Sequence, residues 1–148
     1  MLKKLLQHHN LNQPYLGGLN SYSLVLMTSA FLNICGVSSM SKNLRELLNY
    51  YGQYFKPQET VIHNRQIHNS SCLIDPMTVI DPHNHSNNVT RSAFRIRDIQ
   101  EIFKRAYLFI VNNEELYKKA TAISSTETSV TNFGSDIIQK LTAEDVGI

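Results

Sequence analysis

The sequence predicts a mainly α-helical domain that carries one small β-hairpin element. Residues 21–34 form a dense apolar segment of helical length, and 94–111 place apolar side chains in a single stripe at helical spacing. Between these segments, residues 60–80 consist of short β-prone pieces separated by polar residues. A chain of 148 residues, 42% of them hydrophobic, has the length and apolar content for one domain with a core.

Helices are expected along most of the chain up to residue 123. The predicted helices are 2–9, 21–34, 43–55, 94–111 and a short one at 114–123. Ser41 is a candidate N-cap for the third of them, and Pro57 ends it. We therefore divide the chain into a helical domain at 1–123 and a Ser/Thr-rich tail at 124–148, in which 136–141 could form one or two helical turns.

The β-prone pieces are 60–62, 73–74 and 77–80, and they predict a small hairpin or an irregular ribbon. Residues 81–91 are predicted to be a long polar loop, because Val89 is their one apolar residue. Two interpretations of this loop remain open. It is either a solvated connection or a specificity loop, whose Asp and Asn side chains offer donors and acceptors suited to the edge of a base.

The start of the second helix offers a candidate anion site. Residues 17–23 read Gly-Gly-Leu-Asn-Ser-Tyr-Ser, so a glycine turn leads into two good N-cap residues, Asn20 and Ser21. The first turn of such a helix has free N–H groups and the positive end of the helix dipole, which together hold a phosphate. Tyr22 could offer a flat face to a base. The alternative is an ordinary core helix that follows a glycine turn.

The charge and residue content of the chain limit the functions that it can have. A net charge of +2 is compatible with a nucleotide or RNA partner and does not require one. The longest apolar run is interrupted by polar residues and falls short of the roughly 20 residues that a membrane span needs, so no membrane segment is predicted.

His83 and His85 form a plausible metal-binding pair, but no second pair has zinc-ligand spacing and no metal site is predicted. No Asp-x-Asp pair of the kind that holds two magnesium ions occurs in the sequence.

Two separated motifs together resemble a known family. The first is Gly-Gly-Leu-Asn-Ser-Tyr-Ser-Leu at 17–24. The second, at 80–91, has the pattern Ile-Asp-Pro-x4-Asn-Asn-Val-x-Arg, in which x is any residue. Their order and spacing resemble the non-canonical poly(A) polymerases of the DNA polymerase beta-like nucleotidyltransferase superfamily, most closely those of the TRAMP type. Residues 43–52 resemble the PAP-associated segment of that family, and 98–110 resemble the helix after its loop.

The resemblance implies a two-lobed nucleotidyltransferase that transfers AMP from ATP to RNA 3′ ends. By this resemblance the chain would correspond to the helical central domain alone. The palm, whose three carboxylates would hold Mg²⁺ or Mn²⁺, would be missing, so no catalytic or metal-binding residue is expected here and the chain alone should be inactive. The family further implies a nuclear location, the RNA 3′ end as partner, and a zinc-knuckle RNA-binding protein and a helicase as in TRAMP-type complexes.

The resemblance also assigns roles to five residues of the chain. Ser21 and Lys3 would contact the triphosphate, and Tyr22 would stack on the base. Asp81 and Asn87 would lie near the base edge and bias the choice of nucleotide. The sequence departs from the family pattern at Asn20 and Thr90, since the family often has glycine at the first position and usually at the second.

Two other functions remain open. An RNA uridylyltransferase would use the same chemistry, although such relatives tend to carry His at the position of Asn87. A truncated, non-catalytic module that binds RNA or a protein partner is the alternative from a different class.

Overall fold

The computed structural model describes residues 1–71 and 73–123. The predicted tail at 124–148 lies outside this part, so the division at residue 123 stays a prediction. The α-helices in the described part are α1 (Leu2–His8), α2 (Ser21–Cys35), α3 (Met40–Asn49) and α4 (Ile96–Ile123). A 3₁₀ turn at Pro14–Leu16 precedes α2, and a π-helical turn at Tyr50–Tyr54 continues α3. The strands are β1 (Thr60–His63), β2 (Gln66–Asn69), β3 (Thr78–Asp81) and β4 (Asn84–Asn88).

Three of the predicted helices need correction. The predicted helix at 43–55 begins at Met40, because Ser39 rather than Ser41 is the cap: its hydroxyl accepts the N–H of Lys42 at 3.4 Å. The two helices predicted at 94–111 and 114–123 form the single helix α4. Asn113 does not interrupt α4, because its side-chain amide donates to the Phe109 carbonyl one turn earlier at 2.8 Å.

The β element is larger than the single hairpin that the sequence predicts. Four strands form one mixed sheet in the order β2-β1-β3-β4, with two antiparallel hairpins joined by the parallel pair β1 and β3. Asn64 and Arg65, both with positive φ, make the tight turn of the first hairpin. The predicted polar loop at 81–91 contains β4, whereas the predicted piece at 73–74 is not a strand.

The helices and the sheet share one apolar core. Tyr51 is buried there, and its hydroxyl donates to the Met27 carbonyl of α2 at 2.7 Å. Gln100 of α4 donates to the carbonyls of Tyr51 and Phe55, at 3.0 and 2.8 Å, and so satisfies backbone groups that the π-helical turn leaves open. These contacts fix α2 and α4 on either side of the turn.

No single helix in the described ranges is long and apolar enough to cross a membrane. The segments Ser21–Cys35 and Met40–Tyr54 meet the criteria of length and composition only when taken together, and they are bent by 105° relative to each other.

One buried asparagine holds the second hairpin. The Asn88 amide donates to the Met77 carbonyl at 2.8 Å and to the Asp75 carboxylate at 2.9 Å. Its oxygen accepts the backbone N–H groups of Val79 at 2.9 Å and Thr90 at 3.0 Å. All four hydrogen-bonding positions of the side chain are therefore used, and 7% of the residue is exposed.

We expect Asn88→Ala to lower the free energy of unfolding by about 1–3 kcal/mol, because it leaves the buried Thr90 N–H without its acceptor and removes one partner each from the Val79 N–H and the Met77 carbonyl, which keep the Thr90 hydroxyl. The matched control is the adjacent Asn87→Ala, an exposed position where a change within about 0.5 kcal/mol is expected. Urea denaturation of the 148-residue chain measures both. Equal effects of the two substitutions would contradict this account of the hairpin.

Candidate functional site

The turn before α2 requires glycine at two positions. Gly17 has φ of +86°, and a Cβ there would come within 2.5 Å of the Phe94 ring. At Gly18 a Cβ would overlap the backbone of Leu11. The N–H of Leu19 donates to the carbonyl of Leu11 at 2.9 Å. The loop after α1 therefore supports the start of α2 directly.

Asn20 caps α2. Its side chain accepts the N–H of Ser23 at 2.8 Å, and its carbonyl accepts the Ser23 hydroxyl at 2.8 Å. Ser21 and Tyr22 are exposed, and their N–H groups donate to no acceptor within the described residues. Two donors at the positive end of a helix of 15 residues thus remain open to an anion.

Tyr22 meets the second hairpin at Asp81. The phenolic hydroxyl donates to the carboxylate Oδ1 at 2.9 Å, although the two residues are 59 positions apart in the chain. The same oxygen accepts the backbone N–H of His83 at 2.9 Å. The Asn87 side chain lies near enough to this carboxylate to lower its pKa. The structure therefore brings Tyr22, Asp81 and Asn87 together beside the first turn of α2.

The irregular pairing of β3 with β4 places Asn87 beside Tyr22 and Asp81. Ile80 pairs with Asn88, and the next residue Asp81 pairs with Asn84, so residues 85–87 of β4 have no opposite residues on β3. Such bulges redirect side chains and are common beside functional sites.

The hydrogen bonds around Asp81 favour its charged form. The backbone N–H of His83 lowers the pKa of Asp81 most, partial burial opposes this, and the bonds from Tyr22 and Asn87 lower it further. Partial burial and the bond to Asp81 raise the pKa of Tyr22. Near neutral pH the phenol is therefore protonated and donates to a carboxylate that can only accept.

Lys3 is the predicted site residue that the structure does not bring into contact with the others. It lies exposed on α1, which packs against α2. It makes no ion pair or hydrogen bond with Ser21, Tyr22, Asp81 or Asn87. A long cationic side chain on this helix remains available to an anion.

Sequence reasoning missed Asn88 and Thr90 as supports of the site. Thr90 stands where the family pattern has glycine, yet its φ is not positive, so no strain arises from the β-branched side chain. Its hydroxyl instead lies 3.0 Å from both the Met77 carbonyl and the Asn88 oxygen. The adjacent residues Asn87 and Asn88 differ in burial. Asn87 is exposed, whereas Asn88 is buried and holds the hairpin through its hydrogen bonds.

Known proteins resemble the chain in sequence and in fold. No protein-family model matches the chain. Two curated relatives from Saccharomyces cerevisiae, Poly(A) RNA polymerase protein 1 and Poly(A) RNA polymerase protein 2, are each 24% identical to it over alignments of 133 residues. Both alignments cover 76% of the chain, which spans 21% of the first relative and 23% of the second.

A solved structure is similar to the fold. It is described as the structure and function of the polymerase core of TRAMP, a RNA surveillance complex. The match has a TM-score of 0.63 at 24% identity and covers 75% of this chain and 41% of the other. Sequence similarity and fold together confirm the predicted resemblance of the chain to part of a TRAMP-type poly(A) polymerase.

Proposed function

We propose that the chain is the nucleotide-binding central domain of a template-independent RNA nucleotidyltransferase that adds AMP from ATP to RNA 3′ ends. The observation that carries the proposal is the 2.9 Å hydrogen bond from Tyr22 to Asp81. It sets an aromatic ring, 40% exposed, between an open helix N-terminus and a polar hairpin. A nucleoside triphosphate has the matching order of groups: phosphates, sugar and base.

The phosphates would bind at the first turn of α2. The open N–H groups of Ser21 and Tyr22 and the positive end of the helix dipole favour a multiply charged anion there. The Ser21 hydroxyl adds a donor, and the Lys3 ammonium adds a mobile positive charge. The base would then stack on Tyr22, a contact worth about 1–3 kcal/mol.

Asp81 would act on base choice through Asn87. A carboxylate accepts and cannot donate, so it would bind the NH₂ group of the Asn87 amide and turn the amide oxygen away from itself. An oxygen presented in this way accepts from the N6 amine of adenine, whereas uracil offers the acceptor O4 in the corresponding place. ATP would therefore be favoured over UTP, with Asp81 as a positioning residue.

Metal ions for the transfer would come from a palm outside this chain. Within the described residues, no group of three or more His, Cys, Asp or Glu side chains could hold a metal ion. The described residues therefore do not fit the Mg²⁺ or Mn²⁺ pair of the reaction, and this part of the chain would bind and orient the nucleotide. We further propose the setting of the similar TRAMP-type enzymes: a nuclear RNA 3′ end as substrate, with a zinc-knuckle protein and a helicase as partners.

The 148-residue chain alone should extend no RNA, because the attacking and leaving oxygens would lack the two metals that stabilise them. Purified chain is incubated with an RNA primer, ATP and Mg²⁺ or Mn²⁺, and products are resolved by length. Extension that copurifies with the chain through two further columns would overturn the assignment of the metal site to another lobe.

In a palm-containing enzyme that includes this chain, Asn87→His should shift nucleotide preference toward UTP without abolishing turnover. Loss of one matched hydrogen bond in a closed site costs roughly 1–3 kcal/mol, about one or two decades in kcat/KM. Asp81→Asn should shift the ratio in the same direction, because an amide neighbour lets Asn87 turn over.

The ratio is measured by single-nucleotide addition to one RNA primer, with Asn84→Ala in the same hairpin as the matched control. An ATP-to-UTP ratio that stays constant in both variants would mean that the base is read elsewhere. A wild-type preference for UTP would select the uridylyltransferase alternative, and absence of nucleotide binding would select the non-catalytic module.

A further inference from the structure

A cleft separate from the proposed nucleotide site lies where the start of α4 meets the segments that precede β1 and β3. It encloses about 530 Å³, a volume typical of small-ligand sites. Phe55 and Ile96, both buried, line it together with Pro57 and Pro76. The Gln100 amide, also in the lining, donates to the Phe55 carbonyl at 2.8 Å. The inner wall of the cleft is therefore anchored in the core.

Two apolar side chains of the lining are open to solvent. Ile74 is 95% exposed, and Phe94 is 63% exposed. The Phe94 ring packs closely against the glycine turn before α2, since a Cβ at Gly17 would come within 2.5 Å of it. The backbone N–H of Arg95 also donates to the Gly17 carbonyl at 3.1 Å. An aromatic ring is thus held in a fixed place while much of the residue stays exposed, as the stacking of a base requires.

Charge distinguishes this cleft from an ordinary apolar groove. Arg97 is exposed and has no ion-pair or hydrogen-bond partner among the residues that the structure describes. Lys56 pairs with Glu59 at 3.3 Å, but the two side chains are 70% and 65% exposed, and such a pair contributes little to stability. These are the charged residues of the described lining, so two cations against one anion leave one positive charge available to an anion.

We propose that the cleft binds single-stranded RNA, with a base stacked on Phe94 and a backbone phosphate bound by Arg97. A guanidinium binds phosphate oxygens through parallel N–H donors, and an exposed aromatic ring stacks bases of any identity. The choice of RNA rests on the proposed function, in which an RNA 3′ end must reach the nucleotide held by α2. The four peptide units from Gly17 to Ser21 span at most about 14 Å, so a strand bound beside Gly17 lies close to that nucleotide.

A protein partner is the competing occupant. An apolar peptide would use Ile74 and the two prolines, but it would leave the unpaired guanidinium of Arg97 without a counter-charge. RNA satisfies both kinds of group, because each nucleotide brings one base and one negative charge. The combination of an open aromatic ring with an unpaired cation therefore favours RNA.

Fluorescence anisotropy tests the site, with a labelled single-stranded RNA of about ten nucleotides titrated with the full 148-residue chain at several salt concentrations. Phe94→Leu should weaken binding about tenfold through loss of stacking and leave the salt dependence unchanged. Arg97→Gln should also weaken binding, and it should reduce the slope of log affinity against log salt by about 0.7, the value for one phosphate contact on a single strand. Phe94→Tyr, which keeps the ring, should bind as the wild type does.

Two exposed residues outside the cleft provide the matched controls. Tyr54 is 68% exposed in the π-helical turn, and Lys42 is exposed near the start of α3. Tyr54→Leu and Lys42→Gln should bind RNA with the affinity and the salt slope of the wild type. Equal losses in the controls and in the cleft variants would mean that RNA is bound by the surface charge as a whole, and would overturn the proposal.

The wild-type chain gives a second readout that does not depend on the variants folding. RNA should shift the ring NMR signals of Phe94 and the Nε–H signal of Arg97, with the dissociation constant that anisotropy gives. Shifts confined to other residues would overturn the proposal. Absence of RNA binding by the wild type would overturn it as well and would leave the cleft to a protein partner.

Titration of ATP separates the RNA site from the proposed nucleotide site. Arg97→Gln should bind ATP at the amides of Ser21 and Tyr22 as the wild type does. ATP binding at these amides without RNA binding at the cleft would overturn the RNA site alone. RNA binding at the cleft without ATP binding would support the RNA site and contradict the proposed function.

Discussion

The packing of α2 constrains the rest of this structure. The helix contacts α1, α3 and three strands of the sheet, and it buries Leu24, Met27, Ala30 and Phe31 along its length. Its first turn is nevertheless exposed, because Asn20 caps it and the Gly17–Gly18 turn brings the chain in closely from α1. A helix that is packed along one face and has an accessible N-terminus can present its free N–H groups to an anion from a fixed position.

The second hairpin places polar side chains beside the first turn of α2. Asn88 and Thr90 anchor the hairpin through buried hydrogen bonds, and the bulge in β4 leaves Asn87 free to reach Asp81. Asp81 in turn accepts from Tyr22 on α2. The carboxylate therefore connects α2 to the hairpin, and in the proposed site it would orient the Asn87 amide. Any preference between bases would follow from that orientation.

Apolar periodicity predicted the helices better than it predicted the sheet. The central helix at 21–34 differs from α2 by one residue, because its dense apolar segment has a capping asparagine before it and a glycine after it. Strand β4, Asn-His-Ser-Asn-Asn, has no apolar alternation, and side-chain hydrogen bonds to buried backbone groups hold its end instead. No single-residue pattern signals that arrangement, so the region was predicted to be a loop. The break expected between 94–111 and 114–123 fails for a similar reason, since Asn113 bonds within α4.

The residues of the site were named from the sequence, but the way they meet was not. The motif resemblance supplied Tyr22, Asp81 and Asn87, and the fold places these three in contact. The direction of the Asn87 amide depends on which acceptor lies next to it, a tertiary fact that spacing cannot give. The structural role of Asn88 could not be predicted either. Two adjacent asparagines are equivalent in the sequence, and only the fold shows that Asn88 is the buried one.

The central claim is that the first turn of α2 and the hairpin form one nucleotide site. Titration of ATP into the isotope-labelled chain, followed by NMR, tests this claim most directly. The account predicts that the backbone amides of Ser21 and Tyr22 and the side-chain amide of Asn87 shift with a single dissociation constant. Tyr22→Ala should weaken binding by about tenfold or more, and Tyr22→Phe, which keeps the ring, by less. Separate dissociation constants for the helix and the hairpin, or shifts confined to other residues, would contradict it.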